Sequence, residues 1–166
     1  MSTPRRLILA VAAGLLVAGS ALLASRTAAS ATDEVARLAL ALPLTEVTVY
    51  RSPTCGCCKK WVAHIEQAGF TVKQVELADL AEIKAQAGVP EKLHSCHTAL
   101  VGRYAIEGHV PAEDIKRLLA EKPDVHGLSA PGMPAGSPGM EVEGRKDKYD
   151  VVSFTREGQS SVWASH

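Results

Sequence analysis

Residues 44–69 read LTEVTVYRSPTCGCCKKWVAHIEQAG, and this stretch decides the fold. LTEVTVY (44–50) alternates around β-branched residues and predicts a strand. KKWVAHIEQAG (59–69) predicts an amphipathic helix: Trp61, Val62, Ile65 and Ala68 share one side, and Gly69 stops it. Between them, SPTCGCCKK (52–60) packs three of the chain's four cysteines into four positions. A strand that hands over directly to a helix places these thiols at the helix start. Unpaired backbone N–H groups and the helix dipole stabilise a thiolate there, and Lys59 and Lys60 add positive charge.

The pattern continues on both sides of this stretch. DEVARLALAL (33–42) has helix composition and predicts a short lead-in ending at Pro43. FTVKQVEL (70–77) predicts a second strand, and Asp79 is placed to cap a helix over LAEIKAQAG (80–88). Cys96 precedes two β-like runs, HTALV and YAIEGHV, joined by a hairpin turn at Gly102-Arg103. Pro111 suits the opening of a helix over AEDIKRLLAEK (112–122), with acidic residues early. The order β-α-β-α-β-β-α, with its first two strands parallel and its last two a hairpin, predicts an α/β, thioredoxin-like domain over residues 32–122.

Past Pro123 the composition changes. GLSAPGMPAGSPGMEVEG (127–144) is crowded with glycine and proline, which argues against a regular helix or a central strand. YDVVSF and SSVWASH flank a turn and predict a closing hairpin. Residues 123–166 are therefore expected to form a C-terminal extension, a Gly/Pro/Met loop and β-hairpin packed on the domain.

Residues 1–31 have the form of a signal peptide: Arg5 and Arg6, a charge-free run from Leu7 to Ala24, then Ala29-Ser30-Ala31 as a cleavage signal. This predicts an exported chain in a Gram-negative periplasm, touching membrane only if the signal stays uncleaved. Four cysteines are too few for a disulfide-stapled scaffold. With 18 basic and 18 acidic residues and 4% aromatics, nothing recommends nucleic acid as a partner. Function must come from a local site.

Cys55 and Cys58 have C-x-x-C spacing, which suits a redox pair with Cys55 as nucleophile and Cys58 as resolving thiol. The lead-in Tyr50-Arg51-Ser52-Pro53 resembles that of glutaredoxins. Cys57 does not suit that role, since a third thiol invites a wrong bridge. Three thiolates within one turn instead make a chelate for a soft ion, Cu(I) above all, and thiolates readily bridge several such ions. Zinc fits less well, because structural zinc sites use separated pairs. In a thioredoxin-like sheet Cys96 would replace the proline loop that covers the active pair, so it is expected to complete a four-sulfur site.

Other candidates carry weaker signals. His97 should point away from Cys96 if the strand alternation includes both. His94 lies on the loop, His109 reads as a solvated turn residue or a ligand, His64 as an exposed helix residue, and the terminal His166 as mobile. Met133 and Met140 sit in a loop with little core of its own, and a thioether suits Cu(I). Both are candidate ligands.

The chain also resembles the CopG-type copper-resistance proteins of Gram-negative bacteria, recognised by a C-x-C-C motif. Here that motif is Cys55-Gly56-Cys57-Cys58, and SCHTALV (95–101), IEGHVPAEDI (106–115), the PGMPAGSPGME loop and YDVVSF look like the family too. The resemblance spans about Val47 to His166. It implies a thioredoxin-like domain that binds copper in a cysteine-bridged cluster and interconverts Cu(I) and Cu(II) in support of copper efflux. A thiol–disulfide oxidoreductase and a passive copper carrier are the alternatives, and the chain is expected to be a monomer.

Overall fold

The computed structural model of the protein describes residues 46–166; the expected signal peptide at 1–31 and lead-in helix at 33–42 lie outside the described residues. The described chain is mixed α/β, built on one seven-stranded sheet in the order β2-β1-β3-β4-β5-β6-β7. β1 (Glu46–Arg51) runs into α1 (Gly56–Gln67), which returns to β2 (Thr71–Glu76), parallel to β1. α2 (Ala81–Gln86) and a 3-10 turn (Glu91–Leu93) lead to the hairpin of β3 (His97–Val101) and β4 (Tyr104–Gly108), and β3 pairs antiparallel with β1. After α3 (Ala112–Glu121) come β5 (Gly127–Ala130), β6 (Asp150–Phe154) and β7 (Ser160–Ser165).

Helix α1 starts three residues earlier than the sequence pattern suggests, and so takes in the cysteine cluster. Cys55 is its N-cap, and its sulfur accepts from the Cys58 N–H at 3.3 Å. Gly69, at φ +96°, ends it where a side chain would be strained. The N-cap of the next helix is Leu80 rather than the expected Asp79, which stands one residue earlier with its Oδ1 accepting from Ala81 N at 2.8 Å.

Gly127–Ala130 contradicts the expectation that residues 127–144 hold no central strand. It is β5, fully buried, parallel to β4 and antiparallel to β6. Its glycine is what the position demands: a Cβ on Gly127 would lie 1.9 Å from the Ala105 carbonyl oxygen and 2.8 Å from the Phe154 ring. The proline and glycine punctuation begins only at Pro131, after the strand has ended.

The core sits on both sides of the sheet. Trp61, Val62 and Ile65 of α1 and Ile115 and Leu118 of α3 pack on Val47, Val49, Ala99, Ile106 and Leu128. A smaller cluster of Ala87, Val89, Leu93, Ala105 and Phe154 covers the other face. Ile106 and Ala105 are neighbours on β4 and fall in different clusters, as the pleat requires. The second face also carries a buried ion pair, Lys84 Nζ to Glu107 Oε1 at 2.5 Å.

Candidate metal centre

The chain leaves β1 under tight control. Arg51 is nearly buried and donates to Glu76 Oε1 at 2.6 Å and Gln74 Oε1 at 2.8 Å, both on β2. The cysteine turn follows. Cys58 is fully buried, whereas Cys55, Cys57 and Cys96 are half-buried. Cys55 and Cys58 are joined by a disulfide, and Cys57 and Cys96 are free.

Cys96 arrives from the loop before β3. Its sulfur lies 4.0 Å from that of Cys57, which is 3.4 Å from the sulfur of Cys55. The four sulfurs all lie within 4.8 Å of one another. Burial, helped by the neighbouring Cys57, pushes the Cys96 thiol up to about 12. It is therefore protonated at neutral pH, and a cation that binds there must displace the proton.

Two imidazoles face the same sulfur. His109 Nε2 stands 2.9 Å from Cys96 Sγ, while its Nδ1 donates to the Pro138 carbonyl at 2.7 Å. His97 Nδ1 is 3.5 Å from Cys96 Sγ, and its ring packs on Trp61 at 4.4 Å between centroids. Trp61 is itself fixed, its Nε1 donating to Val110 O at 2.9 Å. Burial pulls the pKa of both histidines below the ordinary value; for His97, His109 and Lys84 add to it. Both rings stay neutral and keep a lone pair. Once the disulfide is reduced, four cysteine sulfurs and two imidazoles make a soft donor set that fits copper better than hard cations.

The Gly/Pro loop seals one side. Gly139 packs so closely on the start of α1 that a Cβ would lie 2.7 Å from Cys57 O and 2.8 Å from Trp61 N. Its N–H donates to Glu141 Oε1 at 2.8 Å, and this bond is the main reason the Glu141 carboxyl titrates below its usual range. Met140 is half-buried in this loop, its N–H bonded to Ser137 O at 2.8 Å. Met133 is 58% exposed, one residue beyond the bridge between Ser95 and Gly132.

The structure thus brings Cys55, Cys57, Cys58 and Cys96 together and adds His97 to Cys96. The alternation argument for His97 does not hold, because β3 begins at His97 and Cys96 lies outside the pleat. His64 is half-buried, not exposed: its Nε2 accepts from Ala112 N at 3.1 Å, at the start of α3. His94 Nε2 lies 3.1 Å from Val89 O, and His166 is pinned 2.8 Å from Asp114. His109 was undervalued, although the hairpin contained the clue. A two-residue turn pairs Val101 with Tyr104, and stepping back along that register sets Cys96 opposite His109.

A family described as a protein of unknown function, DUF411, matches residues 93–140. No curated protein matches the chain. Two solved structures named copper resistance protein CopG, Form 2 and Form 1, are 47% identical to it with a TM-score of 0.70. The match covers 74% of this chain and 98% and 97% of theirs. At that identity and coverage, the chain belongs to the CopG family of copper-resistance proteins.

Proposed function

We propose that this protein binds several copper ions as its substrate between Cys55, Cys57, Cys58 and Cys96 and interconverts Cu(I) and Cu(II). The observation that carries this reading is the convergence of four sulfurs within 4.8 Å, two of them from α1, one from its N-cap and one from the loop before β3. Thiolates bridge soft monovalent ions, and the second loop supplies only Cys96, not the second cysteine pair that structural zinc uses. The names of the solved relatives support copper as the ion.

The redox step uses the chain's own cysteines. Two Cu(II) ions take two electrons from the Cys55–Cys58 dithiol, giving two Cu(I), the disulfide and two protons, and an external dithiol must re-reduce that bond before Cys55 and Cys58 can serve Cu(I) as thiolates. The thioredoxin-like reading belongs here as well. It is supported by the strand order β2-β1-β3-β4, by β3 running against its neighbours, and by the cysteine turn at the start of α1. Met140 would cap the site with a thioether, and the exposed Met133 would meet copper outside it. The protein would work as an exported monomer in the periplasm beside a copper-efflux system, a reading supported by the signal-like residues 1–31.

Anaerobic titration of the reduced protein with Cu(I) tests this. The expected result is several equivalents bound by the wild type and loss of most of them in the Cys55→Ser/Cys57→Ser/Cys58→Ser variant. Retention of several equivalents by that variant would sink the proposal. A second reading, a thiol–disulfide oxidoreductase, is favoured by one observation, the Cys55–Cys58 bond. It requires dithiol-dependent reductase activity that survives Cys57→Ser and Cys96→Ser.

A further inference from the structure

We propose that Glu107 is a positioning residue for the copper reaction: its buried carboxylate, held by Lys84, fixes the peptide of Ser95 and so aims the Cys96 thiol at the cysteine turn. The inference rests on the copper reading above but on atoms of the opposite face of the sheet.

The Cys96 side chain does not lie where its strand would send it. Thr98 and Glu107 are paired across β3 and β4 and share the face that carries α2. If the pleat ran on past His97, Cys96 would join them there, away from the cysteine turn. Instead Cys96 Sγ lies 3.5 Å from His97 Nδ1 and 4.0 Å from Cys57 Sγ. What reaches the Glu107 side is the backbone: Ser95 N donates to Glu107 Oε1 at 2.6 Å. The same carboxylate accepts from the Thr98 hydroxyl through Oε2 at 2.7 Å. Glu107 therefore holds the chain on both sides of Cys96-His97, and the turn between its two anchors swings the thiol to the other face.

Other contacts press the loop against the sheet. Ser129 Oγ donates to Leu93 O at 2.8 Å, and Ser95 Oγ donates to Gly132 O. Gly108, at φ +71°, lets Ser95 approach, since a Cβ there would lie 2.5 Å from that of Ser95. The Glu107 bond differs in being charge-assisted and in fixing the direction of the peptide N–H one residue before Cys96.

The ordinary alternative is a core ion pair that only stabilises the fold. Glu107 is fully buried and Lys84 nearly so, with 2.5 Å between them. Exchanging such a pair for apolar side chains of similar volume is often neutral or stabilising, so stability alone does not call for one. An apolar pair would also leave the Ser95 N–H without its acceptor. A carboxylate accepts from Lys84, Thr98 and Ser95 together, and Lys84 offsets the cost of burying its charge. Groups that orient a metal ligand without touching the ion tune such sites strongly.

Two double variants of matched volume separate fold from aim. Lys84→Met/Glu107→Gln keeps an amide oxygen for Ser95 N, whereas Lys84→Met/Glu107→Leu offers none. Both should unfold cooperatively in denaturant. In anaerobic competition with a chromophoric Cu(I) chelator, the reduced Gln variant should keep wild-type affinity. The Leu variant should bind Cu(I) about tenfold or more weakly. Without copper, exchange of the Ser95 amide should be fast in the Leu variant alone. In a disulfide-bonded Cys57→Ser background, where Cys96 is the single free thiol, iodoacetamide should also modify Cys96 faster in the Leu variant. If the Leu variant does not fold, Lys84→Met/Glu107→Ala takes its place.

Equal Cu(I) affinity in the Gln and Leu variants would overturn the proposal, whatever the exchange rates, and leave the pair as core filling. Weak binding by both would overturn it too, since the amide would have failed to rescue. If the wild type itself takes up no Cu(I), the copper reading falls, and Cys96 alkylation still decides whether Glu107 aims the thiol.

Discussion

Neighbouring residues of β3 open onto two different polar arrangements. Thr98 points to the face with α2, where Lys84, Thr98 and Glu107 close on themselves. Lys84 Nζ binds Glu107 Oε1 at 2.5 Å and Thr98 Oγ1 at 3.1 Å, and the Thr98 hydroxyl donates to Glu107 Oε2 at 2.7 Å. His97 points to the other face, where one ring nitrogen has no partner among the described residues and a second imidazole meets a free thiol. The first network pairs its charges internally, whereas the second leaves one buried nitrogen, His97 Nε2, without a partner among the described residues. Burial alone does not mark a functional polar group; the unfilled valence does.

The closed network also serves the open one. Glu107 Oε1 accepts from Ser95 N at 2.6 Å, so the carboxylate fixes the peptide next to Cys96. Ser95 Oγ in turn donates to Gly132 O, tying the same loop to the segment after β5.

The largest expected effect comes from breaking the closed side. Lys84→Met leaves Glu107 charged, fully buried and unpaired, and should cost about 3–5 kcal/mol in denaturant unfolding. Lys84→Met with Glu107→Leu should recover most of that loss; if it does not, the pair contributes more than mutual neutralisation.

Gly139→Ala strikes where the two loops meet. Its φ of +83° and its contacts with Cys57 O and Trp61 N leave no room for a methyl group, so the loop must lift from α1. A stability loss of about 1–3 kcal/mol is expected, with faster alkylation of Cys57 and Cys96 as the sharper readout. Unchanged alkylation would mean that the loop does not cover the thiols.

The smallest effect is the pH dependence of the metal-free protein. His97 and His109 are held below the ordinary value of 6.5, so the folded state resists protonation while the unfolded chain accepts it. Below about pH 6.5 the unfolded state binds more protons, and stability contributed above that value is lost as pH falls. Unfolding midpoints between about pH 5 and 7.5 should show this slope, and His97→Phe should flatten it. An unaltered slope would place the titration elsewhere.

Much of the frame was legible because the local signals agreed. β1, the cysteine turn and α1 each follow from adjacent residues, as do the β3–β4 hairpin and the closing strands at 150–154 and 160–165. β5 was not, because its four residues are too short for a pattern and stand against a glycine- and proline-rich loop. What makes Gly127 a strand residue is the Ala105 carbonyl on a neighbouring strand, which no local window contains. The cysteines were legible from spacing alone. The Lys84–Glu107 pair was not, since a charged residue in a strand ordinarily reads as solvated and only the tertiary fold supplies its partner. Pro138 is the clearest case: its role is a carbonyl, and a carbonyl has no signature in the sequence.

That carbonyl also bears on timing. Every cysteine and both imidazoles lie before residue 110, yet the atom that aims His109 comes 29 positions after it, beyond β5. A chain growing from its N-terminus displays all its sulfurs well before it possesses the backing that orients them. The pocket is therefore among the last parts to be finished, and a nascent or truncated chain would have the donors without the arrangement.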